Sequence, residues 1–292
     1  MTYFDFLALF LLIPIAILLA VVWIDRAHGR EIPAAMKAWS PAAAIVLHVV
    51  IALLYTTIWD NYLVATRVWW YDPALVTGLT IAYVPIEEYT FFILQPILAG
   101  LWLLFLLKRL PLPGGKAQSE EQAQGSALRI WPVVIMAVFW LASLLILASG
   151  WQPGIYIGLE LAWALPPIAL QLAFGADILW RYRRLVFMTI LPMTLYLSVA
   201  DAIAINGGIW TINPDKSLHL LLGGILPVEE LLFFLITNTL VTFGVTLILS
   251  QASHQRFAEI RRWLKARQGG KDAELPGGDA FVEPDEVLQD AW

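Results

Sequence analysis

The chain has 292 residues, of which 60% are hydrophobic and 14% charged, with a formal net charge of −5 and no cysteine. Soluble globular domains are roughly 45–50% apolar and about 25% charged, so this composition excludes an ordinary water-soluble protein and predicts an all-α integral membrane protein. The lack of cysteine excludes disulfides, iron–sulfur clusters and thiolate metal sites.

Seven apolar segments follow one another along the chain, each long enough to cross a bilayer as a helix of about 20 residues. The first segment has no basic residues before it, so we expect a spanning helix rather than a signal peptide. Glycine, glutamine and serine at 108–129 predict a flexible connection, residues 254–268 an amphipathic helix, and residues 269–292 a disordered end. The predicted spanning segments are 3–24, 41–59, 75–107, 130–149, 154–176, 185–205 and 218–250.

The placement of basic residues predicts the orientation of these segments. With the N-terminus outside, 16 of the 18 lysines and arginines fall in cytoplasmic connections or the C-terminal tail, and only Arg67 and Lys216 stay outside. Cytoplasmic loops of membrane proteins carry such an excess. The sequence therefore predicts a multi-pass cell-membrane protein with the N-terminus outside and the C-terminus in the cytoplasm.

The two halves of the chain resemble each other. Each unit holds three predicted helices, and equivalent helices are four apart in the chain. Because four is an even number of crossings, equivalent helices run in the same direction. The two copies are therefore related by an axis along the membrane normal. We predict a first three-helix repeat at 1–107, a linker and connecting helix at 108–153, a second repeat at 154–250 and a tail at 251–292. The aligned residues are Tyr3 with Tyr156, Pro14 with Pro167, Asp60 with Asp201, Trp69 with Trp210, Pro73 with Pro214, and Pro85-Ile86-Glu87-Glu88 with Pro227-Val228-Glu229-Glu230.

The segments 75–107 and 218–250 are too long for one crossing. A straight helix of either length would measure about 50 Å, against ~30 Å of hydrocarbon. Pro85 and Pro227 stand near the tenth residue of these segments. Because proline disfavours helix in the residue before it, we expect a short interfacial or re-entrant piece, a break at the proline, and then the spanning helix.

Glu87, Glu88, Glu229 and Glu230 are the leading catalytic candidates. An ionisable side chain in a membrane helix costs at least ~2.5–3.5 kcal/mol, so it usually has a function or a partner. No lysine or arginine lies in the same spans. Burial without a cation, and repulsion between neighbours, favour neutral carboxylic acids that can donate protons. The other interpretation is that the glutamates cap the helix that begins at each proline.

Further side chains share a helix face with the second glutamate of each motif. An acid beside aromatic rings and an amide suggests a proton donor next to a surface that stabilises positive charge. The other interpretation is that the phenylalanine rings simply pack between helices. Trp69, Trp70, Tyr71 and Trp210 of the outer loops are expected to form an interfacial aromatic belt, and Trp69 and Trp210 are also candidates for the cation-stabilising role. These candidates for substrate binding and cation stabilisation are Phe91, Phe92, Gln95, Phe233, Phe234, Asn238, Trp69 and Trp210.

Asp60 and Asp201 lie at the outer ends of the second and sixth helices, on the side of the glutamates. They either support the glutamates or are ordinary polar groups at helix ends. Glu160 in the fifth helix has no acidic counterpart, because Leu7 stands at the aligned position. No metal site is predicted, since the histidines do not occupy matched positions.

The motifs P-I-E-E-Y-T-F-F-I-L-Q and P-V-E-E-L-L-F-F-L-I-T-N, each preceded by a tryptophan-bearing loop, resemble those of the membrane-integral lycopene cyclase family. The resemblance covers about residues 1–250. Members of that family pair two homologous three-helix units, either as separate chains or joined through an extra helix. The second motif has Thr237 and Asn238 where the first has Gln95, which leaves open whether the two copies are equivalent.

The resemblance implies an acid-catalysed, non-redox cyclisation of the linear end groups of lycopene to β-rings. It implies that Glu87 or Glu88 and Glu229 or Glu230 act as proton donor and acceptor in an apolar site that keeps an acid neutral and excludes water. No cofactor is required by the stoichiometry. The expected partners are lycopene and membrane lipid, with no nucleic acid.

Other functions fit parts of the same pattern. Carboxylates in repeated membrane helices also serve proton-coupled transporters, and a carotenoid-binding protein is a further alternative. An intramembrane protease with an E-E-x-x-x-R motif is disfavoured, because Phe92 or Phe234 stands at the arginine position. The sequence has no G-x-G-x-x-G or P-loop motif, and no aspartate-rich run suited to magnesium diphosphate.

Overall fold

A computed structural model describes residues 1–113 and 118–272. In this part of the chain seven helices are long and apolar enough to cross a membrane, which confirms the predicted all-α, multi-pass membrane architecture. Residues 1–253 form one compact unit, and the chain from His254 onward forms a second. The helices are α1 (Tyr3–Ala27), α2 (Pro41–Ala65), α3 (Ile86–Leu107), α4 (Gln118–Ser149), α5 (Ile155–Arg181), α6 (Arg183–Asn206), α7 (Val228–Leu249) and α8 (Gln251–Asp272).

Six short strands lie in the connections before α3 and α7. Strand β1 (Trp69–Tyr71) pairs antiparallel with β4 (Trp210–Ile212), with Trp70 opposite Thr211, so this ladder joins the two repeats. The other two pairs are hairpins within one repeat. They are β2 (Thr80–Ile81) with β3 (Val84–Pro85), and β5 (Leu221–Leu222) with β6 (Leu226–Pro227).

The hairpins correct the prediction of helix at the start of 75–107 and 218–250. Pro85 and Pro227 do mark the break, because each precedes the first residue of its spanning helix in an extended conformation. The piece before each proline is a β-hairpin rather than a helix. Its turns need left-handed backbone, which Ala82 adopts in the first hairpin and Gly223 and Gly224 adopt in the second.

Several predicted boundaries also move. Helix α5 continues past 176 to Arg181 through a kink at Gly175, so only Tyr182 separates it from α6. The connection predicted at 108–129 is helical from Gln118 onward, and its residues 114–117 lie outside the described part of the chain. The predicted tail helix is observed within α8, whereas most of the predicted disordered end, residues 273–292, lies outside the described residues.

Helices α3 and α7 form the centre of the membrane unit. In their spanning parts 67% and 50% of the residues are buried, against 6% in α4. The two central helices meet at a buried hydrogen bond in which the Gln95 side-chain amide donates to the Asn238 Oδ1 atom at 2.9 Å. Helix α4 is peripheral and is attached to α5, for example by the Trp140 indole N–H, which donates to the carbonyl of Ala162 at 3.1 Å.

Gly244 provides a test of the central packing. A Cβ atom at this position would lie 1.9 Å from Nε2 of buried His48, so we expect Gly244→Ala to destabilise the protein by about 1–3 kcal/mol through overpacking. Thermal unfolding of the detergent-solubilised protein measures the loss. The second change His48→Ala should restore much of it, and a Gly244→Ala variant as stable as the parent would contradict this packing.

Candidate active site

A buried cavity of about 50 Å³, here called the acid cavity, lies between the two repeats near the short strands. Each repeat supplies seven of the fourteen lining residues, and twelve of the fourteen form six pairs of aligned positions. The copies therefore build one composite site rather than two separate ones. The pairs are Tyr3 with Tyr156, Asp60 with Asp201, Trp69 with Trp210, Tyr71 with Ile212, Glu88 with Glu230, and Phe91 with Phe233, and Phe6 and Phe234 complete the lining.

Glu88 is held by two tyrosine hydroxyls. The Tyr3 hydroxyl, at the start of α1, donates to Glu88 Oε2 at 2.5 Å. The Tyr71 hydroxyl, at the end of β1, donates to the same oxygen at 3.0 Å. The Trp69 indole N–H in turn donates to the Tyr71 hydroxyl at 3.2 Å. With one carboxyl oxygen occupied by two donors, the other oxygen is the atom on which Glu88 can carry a proton.

Tyr71 lies outside the spanning helices, and its protonation state follows from its surroundings. Burial raises the pKa of the Tyr71 hydroxyl well above its ordinary value, and the nearby carboxyls of Asp60 and Glu88 raise it further. The hydroxyl consequently remains protonated at neutral pH and serves Glu88 as a permanent hydrogen-bond donor.

Glu230 occupies the aligned position in the second repeat but has a different environment. The Tyr156 hydroxyl donates to Glu230 Oε1 at 2.7 Å, as Tyr3 does to Glu88. Ile212 stands where the first repeat has Tyr71, so the second donor is absent at that position. Hydrogen bonds to a carboxylate favour its charged form. The two copies thus differ in how well each glutamate can hold a negative charge.

Glu87 and Glu229 face away from the acid cavity. Glu87 Oε1 accepts a hydrogen bond from the backbone N–H of Thr77 at 2.6 Å, and Glu229 Oε1 accepts one from that of Leu218 at the same distance. Each anchors the loop before its hairpin. Consecutive residues of a helix point about 100° apart, so only the second glutamate of each motif reaches the cavity.

Asp60 and Asp201 line the same cavity and are each 1% exposed. The Trp210 indole N–H donates to Asp201 Oδ1 at 3.0 Å, whereas the Oδ2 atoms of both aspartates have no hydrogen-bond partner among the described residues. None of the fourteen lining residues is a lysine, arginine or histidine. Four carboxyls without a cation can share this space only if most of them are neutral.

Aromatic rings form most of the remaining wall. Phe91 of the first repeat meets Phe234 of the second edge to face, with ring centroids 6.3 Å apart. Phe233 stacks on Trp59 at 5.9 Å. Of the other predicted residues, Trp69 and Trp210 line the cavity. Phe92, Gln95 and Asn238 lie outside it.

Comparison with known proteins decides the family of this chain. Residues 1–106 and 153–248, which are the two repeats without their connection, match the profile of the lycopene cyclase family. The chain belongs to the lycopene cyclase family. Lycopene beta-cyclase of Halobacterium salinarum is 39% identical to it over 211 residues, which cover 70% of this chain and 82% of that protein.

The similarity extends to fungal proteins. The bifunctional lycopene cyclase/phytoene synthase of Aspergillus oryzae is 34% identical over 203 residues, which cover 68% of this chain and 33% of that protein. The corresponding protein of Podospora anserina is 33% identical over 200 residues, with 68% and 33% coverage. No solved structure matches the chain.

Five residues that line the acid cavity were not among the sequence candidates: Tyr3, Phe6, Tyr71, Tyr156 and Ile212. The alignment of Tyr3 with Tyr156 is a usable signal, because a hydroxyl present in both copies near the start of a helix can serve the glutamate of its own copy. Tyr71 carried no such signal, since its partner in the repeat is Ile212. Glu160 lies one turn after Tyr156 on α5 and is fully buried, with no hydrogen-bond partner for either carboxyl oxygen among the described residues.

Proposed function

We propose that this chain is a lycopene β-cyclase that converts the linear end groups of lycopene into β-rings without a cofactor. The observation that carries the proposal is that Glu88 and Glu230, from the two copies of one motif, face a single buried cavity lined by aromatic rings. The family and the activity named for the Halobacterium relative support the choice of substrate.

The reaction is a proton-initiated isomerisation. A neutral glutamate transfers its proton to the terminal carbon–carbon double bond of the substrate and leaves a tertiary carbocation. A neighbouring double bond attacks that carbon, so one carbon–carbon bond forms and the positive charge moves to the attacking unit. A carboxylate then removes a proton from the new ring. One proton enters and one leaves, and no electron is gained or lost.

Glu88 and Glu230 supply the proton donor and the proton acceptor in this proposal, because they are the glutamates that line the acid cavity. Asp60 and Asp201 provide further carboxyls in the same space, through which protons can be exchanged between turnovers. Phe91, Phe233, Phe234 and the tryptophans Trp69 and Trp210 present ring faces and edges that stabilise the cation and exclude water that would trap it.

The basic residues support an orientation with the N-terminus outside and the C-terminus in the cytoplasm, since 16 of 18 then lie inside. The acid cavity would accordingly be in the outer half of the bilayer, at the Tyr3 end of α1. Lycopene is a hydrocarbon dissolved in lipid, so the membrane itself delivers it. The proposed organisation is two cyclase repeats, 1–107 and 154–250, connected by 108–153 and followed by a tail.

Expression in a lycopene-accumulating bacterium, followed by chromatography of the pigments, tests the activity. We expect lycopene to be replaced by ringed carotenes when the protein is present in the membrane. Unchanged lycopene beside membrane-inserted protein would contradict the proposal. Solute movement in vesicles that depends on a proton gradient, without any change of pigment, would favour a transporter instead.

The tyrosine hydroxyls give a second, quantitative prediction. A hydrogen bond to a charged group contributes roughly 1.5–3 kcal/mol, so Tyr156→Phe should lower the turnover rate by about 10- to 100-fold, with little change in KM. Tyr62→Phe changes an exposed tyrosine on α2 and serves as the matched control, with an expected rate within twofold of the parent. Equal turnover rates of the Tyr156→Phe and Tyr62→Phe proteins would show that the Tyr156 hydroxyl takes no part in the mechanism.

A further inference from the structure

A second cavity of about 180 Å³, here called the chain groove, lies directly beside the acid cavity among α2, α3, α5 and α7. The surface that its lining exposes is mostly apolar and includes Ala52, Phe92, Pro167 and Leu240, although six of the fifteen lining residues have polar side chains. Phe91 and Phe233 line both spaces, so the chain groove and the acid cavity share one wall of two phenylalanine rings.

The outer side of the chain groove faces the lipid. Ile51 and Tyr55 belong to its lining and are 49% and 42% exposed on α2, in the middle of a spanning helix. The Tyr55 ring stacks on Trp163 of α5 with centroids 5.4 Å apart, and its hydroxyl donates to the Trp163 carbonyl at 2.7 Å. This contact closes the gap between α2 and α5 at Tyr55, so a hydrocarbon enters from the bilayer beside Ile51, one turn away on α2. The lining of the groove contains no lysine, arginine, aspartate or glutamate.

We propose that the chain groove binds the conjugated polyene chain of the carotenoid while the end of the same molecule lies in the acid cavity. This inference rests on the proposed function, and it adds the route of entry. The groove offers aromatic rings and aliphatic side chains, which suit a flat unsaturated hydrocarbon. The acid cavity is large enough for only a small part of the substrate, so the rest of the molecule needs an adjoining apolar space.

The repeat places an equivalent groove on the opposite side of the molecule, among α1, α3 and α6. Its volume is about 420 Å³, yet it shares no lining residue with the acid cavity in the described part of the chain. The two grooves correspond position by position. Pro14, Leu98, Pro192, Met193 and Tyr196 of the second groove align with Pro167, Leu240, Ile51, Ala52 and Tyr55 of the chain groove.

Larger side chains account for the separation on that opposite side. Leu197 stands where the chain groove has Thr56, and Phe6 stands where the second repeat has Leu159. Leu197 and Phe6 are each 1% exposed, and the Phe6 ring contacts Trp210 edge to face at 5.3 Å. These side chains fill the space through which a polyene would reach the carboxyls, so the substrate enters from one side only.

The double variant Ala52→Met/Thr56→Leu tests the route of entry. It replaces two residues of α2 with those at the aligned positions on the opposite side, Met193 and Leu197. We expect cyclisation in lycopene-accumulating cells to fall at least tenfold at equal membrane levels. The control is Ile17→Trp, at a 59% exposed position of the opposite groove, with an expected activity within twofold of the parent. Full activity of the double variant, or an equal loss in the control, would overturn the proposed route.

Retention of substrate separates this inference from the proposed function. In a Glu88→Gln background, purified protein from the same cells should carry lycopene, measured by its visible absorption after extraction. Adding Ala52→Met/Thr56→Leu should reduce the bound pigment at least tenfold, whereas adding Ile17→Trp should not. The Glu88→Gln protein could retain lycopene in this way while the protein without substitutions forms no rings. That result would contradict the cyclase activity and support the groove. Retention that is unaffected by the double variant would overturn the groove.

Discussion

Replacing Glu88 or Glu230 with glutamine is expected to lower the rate of cyclisation by about 100- to 10,000-fold, the range that general acid–base catalysis contributes. Glutamine keeps the size of the side chain and an oxygen that can accept from Tyr3 or Tyr156. It carries no acidic proton. The loss is therefore expected in turnover rather than in membrane insertion, and pigment chromatography with an immunoblot of the membrane fraction measures both.

The matched controls are Glu87→Gln and Glu229→Gln, one residue earlier in each motif. These glutamates bind the backbone N–H groups of Thr77 and Leu218 outside the acid cavity. Their variants should lose stability and retain at least a tenth of the activity per folded molecule. An activity loss as large as that of Glu88→Gln would show that the first glutamate also takes part in the chemistry.

A second large effect, on stability, is expected at the other end of α1, where the Asp25 carboxylate contacts three basic side chains. Asp25 is 2% exposed, and Arg109 donates to both of its carboxyl oxygens at 2.8 and 3.0 Å. Lys108 and Arg30 lie 3.7 and 3.4 Å from the same carboxylate. Removing one partner of a buried ion pair costs ~3–5 kcal/mol, and the partial exposure of Arg109 and Arg30 places Asp25→Asn at the lower end of that range.

Thermal unfolding in detergent should show a melting temperature several degrees below that of the parent for Asp25→Asn. Asp177→Asn is the control, because the ion pair of Asp177 with Arg129 is 4.0 Å long and more exposed. Surface pairs contribute about 0–1 kcal/mol, so the control should melt close to the parent. Equal melting temperatures for the two variants would show that the Asp25 cluster does not hold α1 to α3.

The spanning helices could be predicted because their signal is local. About 20 apolar residues and a proline at the boundary suffice to define a crossing, as for α3 after Pro85 and α7 after Pro227. The hairpins before these prolines carry only two residues in each strand. The turn of the first hairpin places Ala82 in a left-handed conformation that its side chain disfavours, so the local sequence could not indicate that hairpin. The pair Gly223-Gly224 is a local turn signal for the second hairpin.

The acid cavity was only partly predictable for a different reason. The duplicated motif identified Glu87, Glu88, Glu229 and Glu230 as a set, but which member of each pair faces the cavity depends on how α3 and α7 rotate against each other. The sequence predicts an interfacial belt for Tyr71, because its neighbours Trp69 and Trp70 are tryptophans. Tyr71 reaches Glu88 because strand β1 turns inward to pair with β4, and that pairing joins residues 139–143 positions apart.

Duplicated segments often make one copy expendable, so that it can drift while the other preserves the function. In this protein the aligned residues of both copies face one cavity, and neither copy is a spare. A damaging substitution in either repeat is therefore unprotected by redundancy. Among the six aligned pairs that line this cavity, only Tyr71 and Ile212 differ, so at that position the copies contribute different groups to the same site.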